Sequence, residues 1–126
     1  MKKLIFLLFA SIIVCMAFIS PPEDYRDIYV GRYFCTSRCQ SLNSDYTELS
    51  YHNDTVTILV TKNTRDSVLN ISIRGGSHEL KLISNILRPA MRGSRDHGKF
   101  FSNDSIIFSS SPGLGPNGCS FKGKKQ

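Results

Sequence analysis

The chain predicts a small all-β domain: an antiparallel meander of about seven or eight short strands wound into a closed or nearly closed barrel. Three observations carry this. Apolar residues alternate with polar ones at period 2, turn residues recur at short intervals, and helical periodicity is nearly absent beyond the first twenty residues. A β-sandwich is the alternative arrangement of the same strands. The barrel is preferred because each strand can pair with its sequence neighbour, and closure removes the exposed edges that invite association.

Ile28 to Cys35 reads as the first strand, with Tyr29, Tyr33 and Cys35 on one face and Gly31 marking a bend or close approach. Thr36 to Asp45 is polar and loop-like, Tyr46 to Tyr51 is a weaker strand, and His52-Asn53-Asp54 is turn chemistry. Thr55 to Thr61 and Val68 to Ile73 alternate cleanly around the polar loop Lys62 to Asp66, and form a β-hairpin with Val56, Ile58, Val60, Leu69, Ile71 and Ile73 inward. Arg74-Gly75-Gly76-Ser77 turns into a strand over His78 to Ile83. The pattern then fades between Ser84 and Gly98, where Pro89 opposes a long helix. Lys99 to Ser102 and Ser105 to Ser109 flank the turn Asn103-Asp104. Ser110 to Gly118 is a loop, Cys119 to Lys122 a last strand, and the tail is basic.

Residues 1–20 read as a signal peptide or lipoprotein leader and residues 21–126 as a single β domain. Lys2 and Lys3 precede the apolar run Leu4 to Ile19, and Pro21-Pro22-Glu23-Asp24 ends it, which is the layout of a bacterial export signal. Cleavage after Ala17 would free the domain. Ile12-Ile13-Val14-Cys15 is a degenerate lipobox that would leave Cys15 lipidated, and an uncleaved leader would be a short anchor. The expected locations are therefore the periplasm, the exterior, or the outer membrane through a lipid.

In such a compartment Cys35, Cys39 and Cys119 predict one disulfide and one spare thiol. All three pairings are open. Cys35–Cys119 is favoured because Cys35 lies in strand register and the first and last strands of a barrel are neighbours. A Cys-x-x-x-Cys spacing without a nearby histidine pair is neither a thioredoxin motif nor a zinc site.

Removing Lys2 and Lys3 from the formal charge of +6 leaves +4, too mild and too dispersed for a nucleic-acid binder. Ser94-Arg95-Asp96-His97 contains triad residue types, but sequence neighbours do not assemble a triad. His52, Asn53 and Asp54 are metal-ligand types that a turn explains. Gly113, Gly115 and Gly118 lack the following Lys-Ser/Thr and the helix of a phosphate loop. Asn53, Asn70 and Asn103 open glycosylation acceptor patterns that matter only in a eukaryotic host. The candidate binding residues are the cations Arg88, Arg92, Arg95 and Lys99, suited to anionic head groups or acidic glycans, and the aromatics Tyr29 and Tyr33, suited to a ligand at a barrel mouth.

Tyr29-Val30-Gly31-Arg32-Tyr33, Asp66-Ser67-Val68-Leu69, Asp104-Ser105-Ile106-Ile107-Phe108, Gly113-Leu114-Gly115 and Phe121-x-Gly123-Lys124-Lys125 together resemble small exported β-proteins and lipoproteins of Bacteroidota, a group without assigned function. Gly31-x-Tyr33 also resembles the Gly-x-Trp of lipocalin-like barrels, with tyrosine in place of tryptophan; this implies architecture alone. Neither resemblance implies a catalytic residue.

The expected function is an exported, non-enzymatic binding or structural module of the cell envelope, without a cofactor. Its partner would be an envelope protein, a glycan or a small apolar ligand, and it would meet the membrane only through the leader or a lipid on Cys15. A small protease inhibitor presenting Pro112 to Gly118 is the alternative. A small enzyme would need His97, Asp96 or Asp104 to converge with a nucleophile or metal.

Overall fold

A computed structural model of the chain describes residues 23–111 and 117–126. The leader, Cys15 and most of the Pro112 to Gly118 loop lie outside the described residues. Eight antiparallel strands close into a barrel in chain order: β1 (Gly31–Leu42), β2 (Leu49–Lys62), β3 (Val68–Ile73), β4 (Gly76–Ile83), β5 (Ile86–Pro89), β6 (His97–Ser102), β7 (Ser105–Ser110) and β8 (Gly118–Lys125). β8 returns to β1, so the barrel has no open side.

Tight turns set the registers. Ile73 faces Gly76, Ile83 faces Ile86 and Ser102 faces Ser105, so three hairpins turn on two residues each. Arg74 and Gly75 both adopt positive φ, the backbone form that matches the twist of the flanking strands.

Alternation then fills the interior. Tyr33, Cys35, Ile58, Val60, Leu69, Ile71, Leu80, Leu87, Phe100 and Phe108 are completely buried, and Leu82, Ile106 and Phe121 nearly so. Phe108 stacks on Phe121 with centroids 5.9 Å apart. In a barrel of eight strands the interior is just wide enough for side chains to fill.

One end is plugged by the segment before β1. Asp27–Tyr29 forms a 3₁₀ turn rather than the predicted start of a strand. Tyr29 stacks on Phe100 at 4.3 Å, and its carbonyl accepts the Tyr33 hydroxyl at 2.8 Å. The buried Arg26 donates to the carbonyls of Asn63, Arg65 and Val68 at 2.9–3.1 Å and pairs with Asp24 at 2.7 Å. These bonds tie the plug to the β2–β3 loop. The Asp24 carboxyl is held well below its usual range by the Arg26 side chain and backbone N–H.

Further expectations are corrected along the strands. Thr36 to Asp45 is strand as far as Leu42, and His52-Asn53-Asp54 lies within β2. There the two strands run past the barrel as a ribbon exposed on both faces of β2, so no burial imposes alternation. The turn falls instead at residues 43–48, where the Asn43 side chain accepts from the N–H groups of Thr47 and Glu48. The faded region contains β5, a strand of only four residues that ends at Pro89.

The disulfide joins Cys39 to Cys119, not Cys35 to Cys119. Across the β1–β8 seam Cys39 faces Cys119 directly, whereas Cys35 faces Gly123. Cys35 is a buried free thiol, pushed up to about 11 by desolvation. A disulfide fits a non-reducing compartment.

Candidate functional site

Because side chains fill the barrel, the grooves open on its outer wall, and three of them share one region. They are lined by β1, β2, β6, β7 and β8. The strand registers place the outward residues of this wall in transverse rows. His97, Ser109, Ser120, Arg38 and Asn53 follow one another across five strands. Next come Lys99, Ile107, Lys122, Thr36 and Thr55, and beyond them Ser105, Lys124, Phe34 and Thr57. At about 4.8 Å between neighbouring strands, Lys99 and Lys122 stand roughly 10 Å apart with Ile107 between them.

The wall is electrostatically one-sided. β5, β6, β7, β8 and β1 are contiguous around the barrel and contain no aspartate or glutamate. Their cations include Arg32, Arg38, Arg88, Lys99, Lys122 and Lys124. Arg26–Asp24, Lys62–Asp27 and Arg65–Glu79 pair away from these five strands, while two carboxylates at their margin are each engaged: Asp54 of β2, which lines one of the grooves, with Arg74, and Asp96 with His78. Among the described residues Arg38, Lys99 and Lys122 make no ion pair. Asp104, in the β6–β7 turn near Lys124, is itself bound by the Ser102 and Ser105 hydroxyls, which lower its carboxyl below the usual range.

Apolar surface is interleaved with this charge. Phe34 is 51% and Phe101 60% exposed, and the Lys99 ammonium lies 5.4 Å from the Phe101 ring. Charge beside exposed aromatic surface suits an amphipathic anionic partner.

The predicted cation set is divided by the fold. Lys99 belongs to the wall, Arg88 faces Lys81 across the β4–β5 pair, and Arg92 and Arg95 lie on the loop between β5 and β6. Lys122, Lys124 and Arg38 join Lys99 on the wall, though nothing in the linear sequence sets these three apart as binding residues. Tyr29 and Tyr33, the predicted ligand contacts, are packed inside the barrel against Phe100. Their rings are thereby used up as core.

Of the triad types, Asp96 meets His78 rather than His97, with Nδ1 2.8 Å from the carboxylate. His78 also lies edge-on to Phe108 at 5.5 Å. Burial raises the Asp96 carboxyl, but hydrogen bonds with His78, Ser110 and Ser94 outweigh it and lower the group overall. His97 Nδ1 is bonded to the Arg95 carbonyl, and Asp104 is at the opposite end of the barrel. Among the described residues no three His, Cys, Asp or Glu side chains are grouped to hold a metal ion.

No protein-family model, curated protein or solved structure matches the chain.

Proposed function

We propose that this protein is an exported, non-enzymatic binding module of the bacterial cell envelope that holds an anionic, phosphate- or carboxylate-bearing glycan or glycolipid on its outer wall. The observation that carries this reading is the run of five adjacent strands without a carboxylate, bearing Arg38, Lys99 and Lys122, which make no ion pair among the described residues. Clustered charge of one sign raises the local concentration of an oppositely charged partner. The filled interior turns the search for a small apolar ligand from the barrel to its surface. The leader and the disulfide are consistent with an envelope location.

The test is co-sedimentation of the mature chain with vesicles carrying phosphate-rich lipopolysaccharide, against vesicles of phosphatidylcholine alone. Preferential binding to the anionic vesicles is expected. It should weaken with salt and fall about tenfold or more in a K99Q/K122Q/K124Q variant. Equal binding to both vesicles, or an unaffected variant, would remove the reading.

A further inference from the structure

We propose that the first row of this wall, with Tyr51 of β2 beside it, is a subsite for a saccharide bearing an oxyanion, in which Arg38 holds the anion and Tyr51, His97, Ser109 and Ser120 hold the sugar. This deepens the anionic-glycan reading of the wall and rests on it. The groove has a volume of about 480 Å³ and includes all five of these residues in its lining. From His97 on β6 to Arg38 on β1 it crosses three strand spacings, roughly 14 Å, enough for an extended rather than a point-like ligand.

Each residue brings a distinct capacity. The Arg38 guanidinium lies 4.7 Å from the centre of the Tyr51 ring and makes no ion pair among the described residues. Stacking orders the arginine in advance, so less entropy is lost when its planar fork meets a carboxylate or phosphate. Tyr51 is 55% exposed and offers both ring surface and a hydroxyl.

His97 is oriented for the same purpose. A carbonyl oxygen can only accept, so Nδ1 donates to the Arg95 carbonyl at 2.9 Å. That leaves Nε2 to accept from a sugar hydroxyl in the neutral ring, or to donate to an anion in the protonated one. The Ser109 and Ser120 hydroxyls face each other in register and make no hydrogen bond among the described residues. Each can donate and accept, as sugar hydroxyls do. The nearest carboxylate on β2, that of Asp54, is paired with Arg74 at 2.6 Å, so no unpaired acid stands on the row to repel an anion.

The experiment is calorimetric titration of the mature chain with tetragalacturonate, with neutral galactotetraose, and with galactose 6-phosphate. Tetragalacturonate or the sugar phosphate should bind at least about tenfold more tightly than the neutral sugar, and the tighter of the two identifies the oxyanion. R38M should lose about tenfold or more of that affinity and S109A/S120A a few-fold, since one charged and two neutral hydrogen-bonding sets are removed. An R38M variant that loses saccharide affinity while vesicle binding does not distinguish anionic from neutral lipid would remove the wall reading. Anionic-vesicle binding that falls in K99Q/K122Q/K124Q with saccharide affinity unaffected by R38M would overturn the subsite, so failure at the wall and failure at the subsite are read separately. Circular dichroism checks that R38M, changed at an outward position, stays folded. No binding of either acidic probe at millimolar concentration, equal binding of the neutral sugar, or an unaffected R38M would overturn the proposal.

Discussion

Gly123 faces Cys35 across the β1–β8 seam, and the Cys35 side chain occupies the space that a side chain on Gly123 would need. A Cβ added at Gly123 would meet the Cys35 thiol, the Phe34 carbonyl oxygen and the Cys35 Cα together. Two of those three are backbone and cannot move aside without disturbing the seam. Gly123→Ala is therefore expected to destabilise the barrel by about 2–3 kcal/mol, as overpacking of a closed core does. Denaturant unfolding measures this. Because the backbone contacts remain, C35A should not rescue the variant, and full rescue would refute the account.

The same pairing decides the thiol chemistry. Buried Cys35 is held protonated at neutral pH, and its facing residue has no sulfur. The folded, non-reduced domain without the leader and its Cys15 should show no thiol accessible to a thiol-titrating reagent at pH 8, and one after unfolding in denaturant. Peptide mapping of the non-reduced chain should recover Cys39 joined to Cys119. The bridge spans 80 residues, so replacing both cysteines by alanine should cost about 4 kcal/mol in the chain-entropy model.

Arg26 and Asp24 close the end of the barrel, and their pairing predicts an acid response. The folded Asp24 carboxyl lies below its unfolded value, so its contribution is present above about pH 4 and is lost as pH falls through the folded value. The thermal midpoint should drop in acid, and D24N should flatten that drop while lowering the midpoint at pH 7. R26M removes the donor to three carbonyls and should be the more damaging change, by about 2–4 kcal/mol. An R26M variant as stable as the wild type would show that the plug is dispensable.

Tyr33 predicts the alkaline response. Its hydroxyl is buried against the Tyr29 carbonyl, and desolvation, with Asp104 adding to it, pushes the phenol up to about 12. Since this folded value exceeds the unfolded one near 10, its contribution is complete below pH 10 and lost as pH rises towards 12. Ultraviolet titration should show one tyrosine ionising late, together with unfolding. Y33F should retain most stability at pH 7 and unfold at higher pH than the wild type. If all tyrosines ionise below pH 11 with the fold intact, the buried hydrogen bond is not as described.

The sequence alone determined the fold class and most of the core. Val56, Ile58 and Val60 against Leu69, Ile71 and Ile73 could be read because a half-buried strand must alternate, and the residues that alternate are those that turn inward. It also determined that one of the three cysteines after the leader would remain unpaired within the domain, since three is an odd number. Where burial did not act, the signal vanished: the exposed ribbon of β1 and β2 read as loop and turn, and the four residues of β5 were too few to show a period. The tertiary structure decided everything that depends on register. One residue of offset selects the face of a strand, and the partner of a residue is set by the neighbouring strand, not by chain distance. Register gave Cys119 to Cys39 and glycine to Cys35, and closure of the barrel turned Tyr33 into core, with Tyr29 packed against Phe100 from its 3₁₀ turn. It separated Arg92 and Arg95 from Lys99, and it brought Lys99, Lys122 and Arg38 onto one wall because closure makes β8 the neighbour of β1.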